Sequence, residues 1–119
     1  LINNSFEGGI ISPGFKMRLK AMYEMTEQLP DVTAQSDLYE WVLIGKSTAS
    51  GMISGAKNGM KNEIDGIVSV LKEKYAALRV LMTGGDAVLF ESNVKGSIFV
   101  RSNLVPLGLN QILINNEDI

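Results

Sequence analysis

Residues 79–100 read RVLMTGGDAVLFESNVKGSIFV, and the fold class turns on this stretch. Arg79-Val80-Leu81-Met82-Thr83 is a short apolar run closed by Gly84-Gly85, the pattern of a buried strand that ends in a tight turn. A helix is predicted from near Asp86, and Gly96 to Val100 repeats the strand signal. Strand, helix and strand in that order predict an α/β architecture with helices packed on a sheet.

Working outward, the segment from Ser47 to about Tyr75 has no Pro, and Ile53, Met60, Ile64, Ile67 and Leu71 recur at helical spacing. One long helix is predicted. Ahead of it, Tyr39, Trp41, Val42, Leu43 and Ile44 fit either a short strand or a buried connection. Ser12-Pro13 reads as the N-cap and first residue of an amphipathic helix carrying Phe15, Leu19, Met22, Met25 and Leu29, stopped by Pro30. The chain opens as a hairpin, with Leu1-Ile2 and Glu7 to Ile11 flanking Asn3-Asn4-Ser5, and with Gly8-Gly9 allowing a bulge. Pro106 starts a last helix with Leu107, Leu109, Ile112 and Leu113 as its apolar residues. The whole order, β-β-α, a connection, then α-β-α-β-α, predicts a mixed sheet with packed helices. Without repeats or low-complexity segments, residues 1–119 are read as a single domain.

Composition narrows the chemistry. The 119 residues are 45% hydrophobic and hold 11 Lys+Arg against 13 Asp+Glu, with neither Cys nor His. That excludes a zinc finger, a Cys or His nucleophile, a Ser-His-Asp triad and a disulfide. The net charge of −2 and the scattered basic residues argue against a nucleic-acid binder, which concentrates Lys and Arg along the phosphates. No apolar run approaches the roughly 20 residues that span a bilayer, and the opening residues lack the regions of a signal peptide. The chain reads as cytosolic, with no membrane partner. It begins with Leu rather than Met, which predicts a piece of a longer polypeptide.

Three features invite a functional reading. Thr83-Gly84-Gly85-Asp86 lies where a strand turns into a helix, the geometry in which open α/β sheets bind nucleotides; two glycines at such a turn also serve structure alone. Gly45-Lys46-Ser47-Thr48 precedes the long helix and suits a phosphate or carboxylate, or is an ordinary N-cap. It is not a phosphate loop of the G-x-x-x-x-G-K-[ST] type, because Glu40 stands where that pattern needs its first Gly. Gly51, Gly55 and Gly59 form a stripe on the long helix; each costs about 1 kcal/mol relative to Ala, so close approach of another backbone, of this chain or a second subunit, is expected. Asp31, Asp37, Asp65, Asp86 and Asp118 show no reason to converge, and none is assigned catalysis or metal binding.

Taken together, Gly8-Gly9-Ile10-Ile11-Ser12-Pro13-Gly14, Leu29-Pro30, Gly45-Lys46-Ser47-Thr48, Thr83-Gly84-Gly85 and Leu107-Gly108-Leu109 resemble the second half of a type III pantothenate kinase. The resemblance implies an actin-like (ribonuclease H-like) half of the acetate and sugar kinase superfamily. It implies pantothenate phosphorylation with ATP, Mg²⁺ and a monovalent cation (K⁺ or NH₄⁺), as the first step of coenzyme A synthesis. It further implies a homodimer, Thr48 as a pantothenate contact, and Thr83, Gly84 and Gly85 as the adenosine-side turn. The family's first phosphate motif, its G-x-D-R segment with the catalytic aspartate and its D-x-G-T motif with the cation ligand would precede Leu1. The resemblance therefore implies the C-terminal half of a two-domain kinase, inactive alone. The competing reading is a non-catalytic interaction or regulatory domain of the same fold. Another kinase or chaperone of the superfamily is disfavoured by the Gly8–Gly14 element.

Overall fold

Phe15 and Leu19, four residues apart, are fully buried and set the inward face of the first helix, α1 (Phe15–Glu24). The computed structural model describes residues 5–94 and 98–117. Helix α1 is shorter than its apolar spacing predicts. Gly14, in extended conformation, is the N-cap, so Ser12 and Pro13 lie outside the helix rather than beginning it. Arg18 reaches back to them, its Nε donating to the Pro13 carbonyl (2.8 Å) and its Nη2 to Ser12 Oγ (3.0 Å). At the other end the Thr26 hydroxyl donates to the Met22 carbonyl (2.7 Å), taking up an acceptor that a further helical amide would use. The helix stops at Glu24, well before Pro30, and Met25 is exposed rather than core.

Beyond α1 the backbone turns on side-chain hydrogen bonds. The Thr33 amide donates to Asp31 Oδ1 (2.9 Å) and the Ser36 hydroxyl to the Thr33 carbonyl (2.9 Å), leading into a 3₁₀ turn at Ser36–Leu38. Val32 and Ser36 are completely buried in this turn. Residues 39–47 form no strand; of the two alternatives they are a connection, with Trp41 half-buried and Val42, Leu43 and Ile44 exposed.

The Pro-free stretch forms a single 27-residue helix, α2 (Thr48–Lys74), about 40 Å long at 1.5 Å per residue. Strand β1 (Val80–Met82), helix α3 (Ala87–Glu91) and strand β2 (Ile98–Val100) follow in the predicted order. The strands are parallel, with Val80, Leu81 and Met82 opposite Ile98, Phe99 and Val100, and the Arg101 amide extends the ladder to the Met82 carbonyl (2.9 Å). A helical crossover is what a parallel pair requires. Among the described residues the sheet is therefore two-stranded and parallel, not mixed. Glu7–Ile11 forms no strand, for want of a paired neighbour among the described residues; Leu1-Ile2, Asn3 and Asn4, and Gly96 of the second predicted strand, lie outside them.

The last helix, α4 (Leu104–Glu117), begins two residues ahead of Pro106, which sits in the first turn where its missing N–H leaves no bond unmade. The apolar residues expected to pack it are exposed, Leu107, Leu109, Ile112 and Leu113 among them. The chain divides into two compact units, Leu1–Lys57 and Asn58–Ile119. The first has its core in Phe15, Leu19, Val32, Met52, Ile53 and Ala56, the second in Val68, Ala87, Phe90 and Val94. No described helix is long and apolar enough to cross a membrane.

Candidate functional site

In the first unit the feature of interest is the N-terminus of α2. The Ser47 amide donates to Ser50 Oγ (2.9 Å) and the Ser50 amide to Ser47 Oγ (3.2 Å). This is a capping box with Ser in place of the usual Glu, and the Gly51 amide closes the first turn on the Ser47 carbonyl (2.8 Å). Ser47 therefore does the capping that was open to either hydroxyl. Thr48 stands next to it, exposed, with no hydrogen bond to its hydroxyl among the described residues. Lys46 is also exposed. A hydroxyl, a lysine and the positive end of a long helix are thus presented to solvent together, an arrangement that attracts an anion.

The turn from Gly45 into this helix permits no side chain. A Cβ on Gly45 would collide with the backbone of Ser50 and Gly51, so the connection runs directly against the first turn of α2. Two further contacts hold it. The Ser54 hydroxyl lies 2.9 Å from the Val42 carbonyl and 2.7 Å from that of Leu43, and Lys57 Nζ donates to the Tyr39 carbonyl at 2.9 Å. Lys57 is only 3% exposed, and its ammonium lies 6.0 Å from the Phe15 ring centre and 5.9 Å from that of Trp41. Ser54 and Lys57 belong to none of the motifs that the sequence offers. The available signal was a lysine falling between Ile53, Ala56 and Met60 on the apolar stripe.

In the second unit the turn after β1 borders an open cavity of about 230 Å³. Thr83, Gly84, Gly85, Asp86 and Ala87 form its rim, with Met60, Ile64, Met82 and Phe90 as apolar wall. Gly84 has φ +103°, a conformation that side chains resist, and its carbonyl accepts from the Ala87 amide (3.2 Å). The cavity falls below the ~300–1,000 Å³ of complete ligand pockets. Met60 and Met82, read in sequence only as helix-stripe and strand residues, add soft, adaptable side chains to this wall. Of the sequence-predicted residues, the structure gathers Thr83, Gly84 and Gly85 on one rim and places Thr48 at a different, exposed helix end.

The stripe of glycines on α2 also resolves in part. Gly51, Gly55 and Gly59 are exposed, and a Cβ on Gly51 or Gly55 would meet nothing within 4 Å. Packing among the described residues does not account for those two positions. Among the described residues no three His, Cys, Asp or Glu side chains gather as a metal site.

Residues 2–70 match the family model described as type III pantothenate kinase. The chain is 48% identical over 111 residues to the type III pantothenate kinase of Cytophaga hutchinsonii, covering 93% of this chain and 46% of that protein. It is 41% identical over 112 residues to the enzyme of the same name from Bacteroides fragilis, and 37% identical over 117 residues to that of Phocaeicola vulgatus. The chain spans about half the length of the curated relatives it matches.

Proposed function

The chain belongs to the type III pantothenate kinase family, and from that membership we propose that it is the C-terminal, actin-like half of a cytosolic kinase that transfers phosphate from ATP to pantothenate, opening coenzyme A synthesis. One observation carries the assignment of the substrate contact: Ser47 and Ser50 cap α2, leaving the adjacent Thr48 exposed, with its hydroxyl unengaged among the described residues. Pantothenate ends in a carboxylate, and the positive helix end beside Lys46 complements it. The Thr48 hydroxyl then orients the bound substrate.

On this reading the cavity beside Thr83, Gly84 and Gly85 receives the adenosine side of ATP. Its apolar wall accepts a flat base, and Gly84 lets the backbone come close to the ligand. Bound ATP supplies the phosphoryl group. The carboxylate that orients the attacking hydroxyl and the ligands for Mg²⁺ and K⁺ or NH₄⁺ come from the half of the kinase outside this chain, since phosphoryl transfer depends on such groups. The exposed Gly51–Gly55–Gly59 face is the natural seat of a two-fold dimer contact.

Thr48→Val in the complete kinase tests the proposal, because it keeps the shape and removes one polar contact. A hydrogen bond of about 0.5–3 kcal/mol translates to a loss of roughly 2-fold to over 100-fold in kcat/KM for pantothenate, with the KM for ATP nearly unchanged. The melting temperature should hold, because the cap is Ser47. Parallel weakening of both substrates together with a lowered melting point would assign Thr48 to helix stability instead.

A further inference from the structure

Lysine is rarely buried without a carboxylate, because taking an ammonium out of water is costly. Lys57 is buried, and among the described residues no carboxylate pairs with it. Its partners are the Tyr39 carbonyl and the faces of Phe15 and Trp41. The expense is understandable if the position of residue 39 matters.

The contacts between residues 39–45 and α2 run in strict reverse order. Tyr39 is held by Lys57, Val42 and Leu43 by Ser54, and Gly45 lies on Ser50 and Gly51. Positions 50, 54 and 57 are spaced four and three apart and so share one face of the helix. The connection is thus strapped antiparallel along the first turns of α2. It then reverses through Lys46 and enters the Ser47–Ser50 capping box. Residues 42–44 are exposed and contribute little burial of their own. The polar rungs, rather than a hydrophobic seam, fix where the strap lies.

We infer that Lys57 and Ser54 are positioning residues: through the strap they fix the Gly45–Lys46–Ser47 turn and hence the substrate-facing end of α2, including Thr48. This rests on the proposed role of that helix end in pantothenate binding. Neither residue touches the substrate in this arrangement. Lys57 acts some nine residues, or about 14 Å of helix rise, from Thr48.

The test uses Lys57→Met, which keeps the unbranched apolar stem and removes the donor and its charge, and Ser54→Ala as a second variant should the first fold poorly. In the complete kinase we expect KM for pantothenate to rise about ten-fold, with kcat and KM for ATP within about two-fold. Amide hydrogen exchange should quicken at residues 39–51 and stay unchanged at 58–74. An unchanged KM for pantothenate in both variants refutes the inference, as does a parallel rise for both substrates with exchange quickened throughout. Thr48→Val separates the two readings. If that variant is silent while Lys57→Met raises the pantothenate KM selectively, the clasp stands and Thr48 alone loses its assignment.

Discussion

Two glycines six residues apart in the same unit should respond to the same substitution in opposite directions. Gly45→Ala inserts a Cβ into the backbone of Ser50 and Gly51, atoms that cannot yield as a flexible side chain would. Relief requires lifting the strap or opening the first turn of α2, with loss of the Ser47–Ser50 capping box. Overpacking costs about 1–3 kcal/mol and loss of a cap about 0.5–2, so a destabilisation of about 2–4 kcal/mol is expected. Gly51→Ala places its Cβ in open space on an exposed helix face and should stabilise by about 0.5–1 kcal/mol. Urea denaturation followed by circular dichroism reads both. With a slope near 2 kcal/mol/M, the midpoint should fall by roughly 1–2 M for Gly45→Ala and rise by roughly 0.3–0.5 M for Gly51→Ala. Dilute protein keeps self-association out of the comparison. If Gly45→Ala leaves the midpoint within about 0.3 M of the parent, the close approach of strap and helix is wrong, and the positioning argument falls with it.

Other expectations follow from single contacts. The Thr33 amide donating to Asp31 holds that carboxyl below its ordinary value of 3.8. A lowered folded-state pKa means that Asp31 stabilises the fold above the unfolded value and that this contribution disappears as pH falls through the lowered one. The denaturation midpoint of Asp31→Asn should therefore lie below the parent's at neutral pH and converge with it in acid; a gap that widens below pH 4 contradicts the assignment. Phe15, fully buried at the start of α1, should cost about 3–5 kcal/mol when cut to Ala, and a loss under about 1 kcal/mol in chemical denaturation would place it outside the core. Gly55→Leu should convert the proposed dimer to monomers in sedimentation; a dimer that persists in this variant has its interface elsewhere.

How much was legible in the sequence depended on whether a signal was local. The long helix, both strand cores and the turn at Gly84 could be read because spacing and glycine act within a few residues. The end of α1 could not. Leu29 carries the apolar spacing up to the stop expected at Pro30, yet the helix ends at Glu24, where the Thr26 hydroxyl occupies the Met22 carbonyl. The fate of residues 39–47 was equally hidden, because their partners Ser54 and Lys57 lie eleven to eighteen residues away. At the candidate site, the order of Ser47 and Thr48 suggested a cap without saying which hydroxyl provides it. Only the reciprocal bonds of Ser47 and Ser50 decide that. The apolar residues of α4 looked like a core stripe, but alternation in sequence does not say what stands opposite.

Helix α4 has a consequence for how this chain behaves in a tube. Its Leu, Ile and Val side chains remain substantially in water, from 39% exposed at Leu104 to 62% at Val105, while the chain carries a net charge of only −2. Apolar side chains this exposed draw copies together and so weak a charge does little to hold them apart. Colloidal stability is then set by the solvent. Sulfate and other excluded salts should bring this chain out of solution early, and a dye that lights up on apolar surface should report the fully folded state as brightly as most proteins report a partly unfolded one.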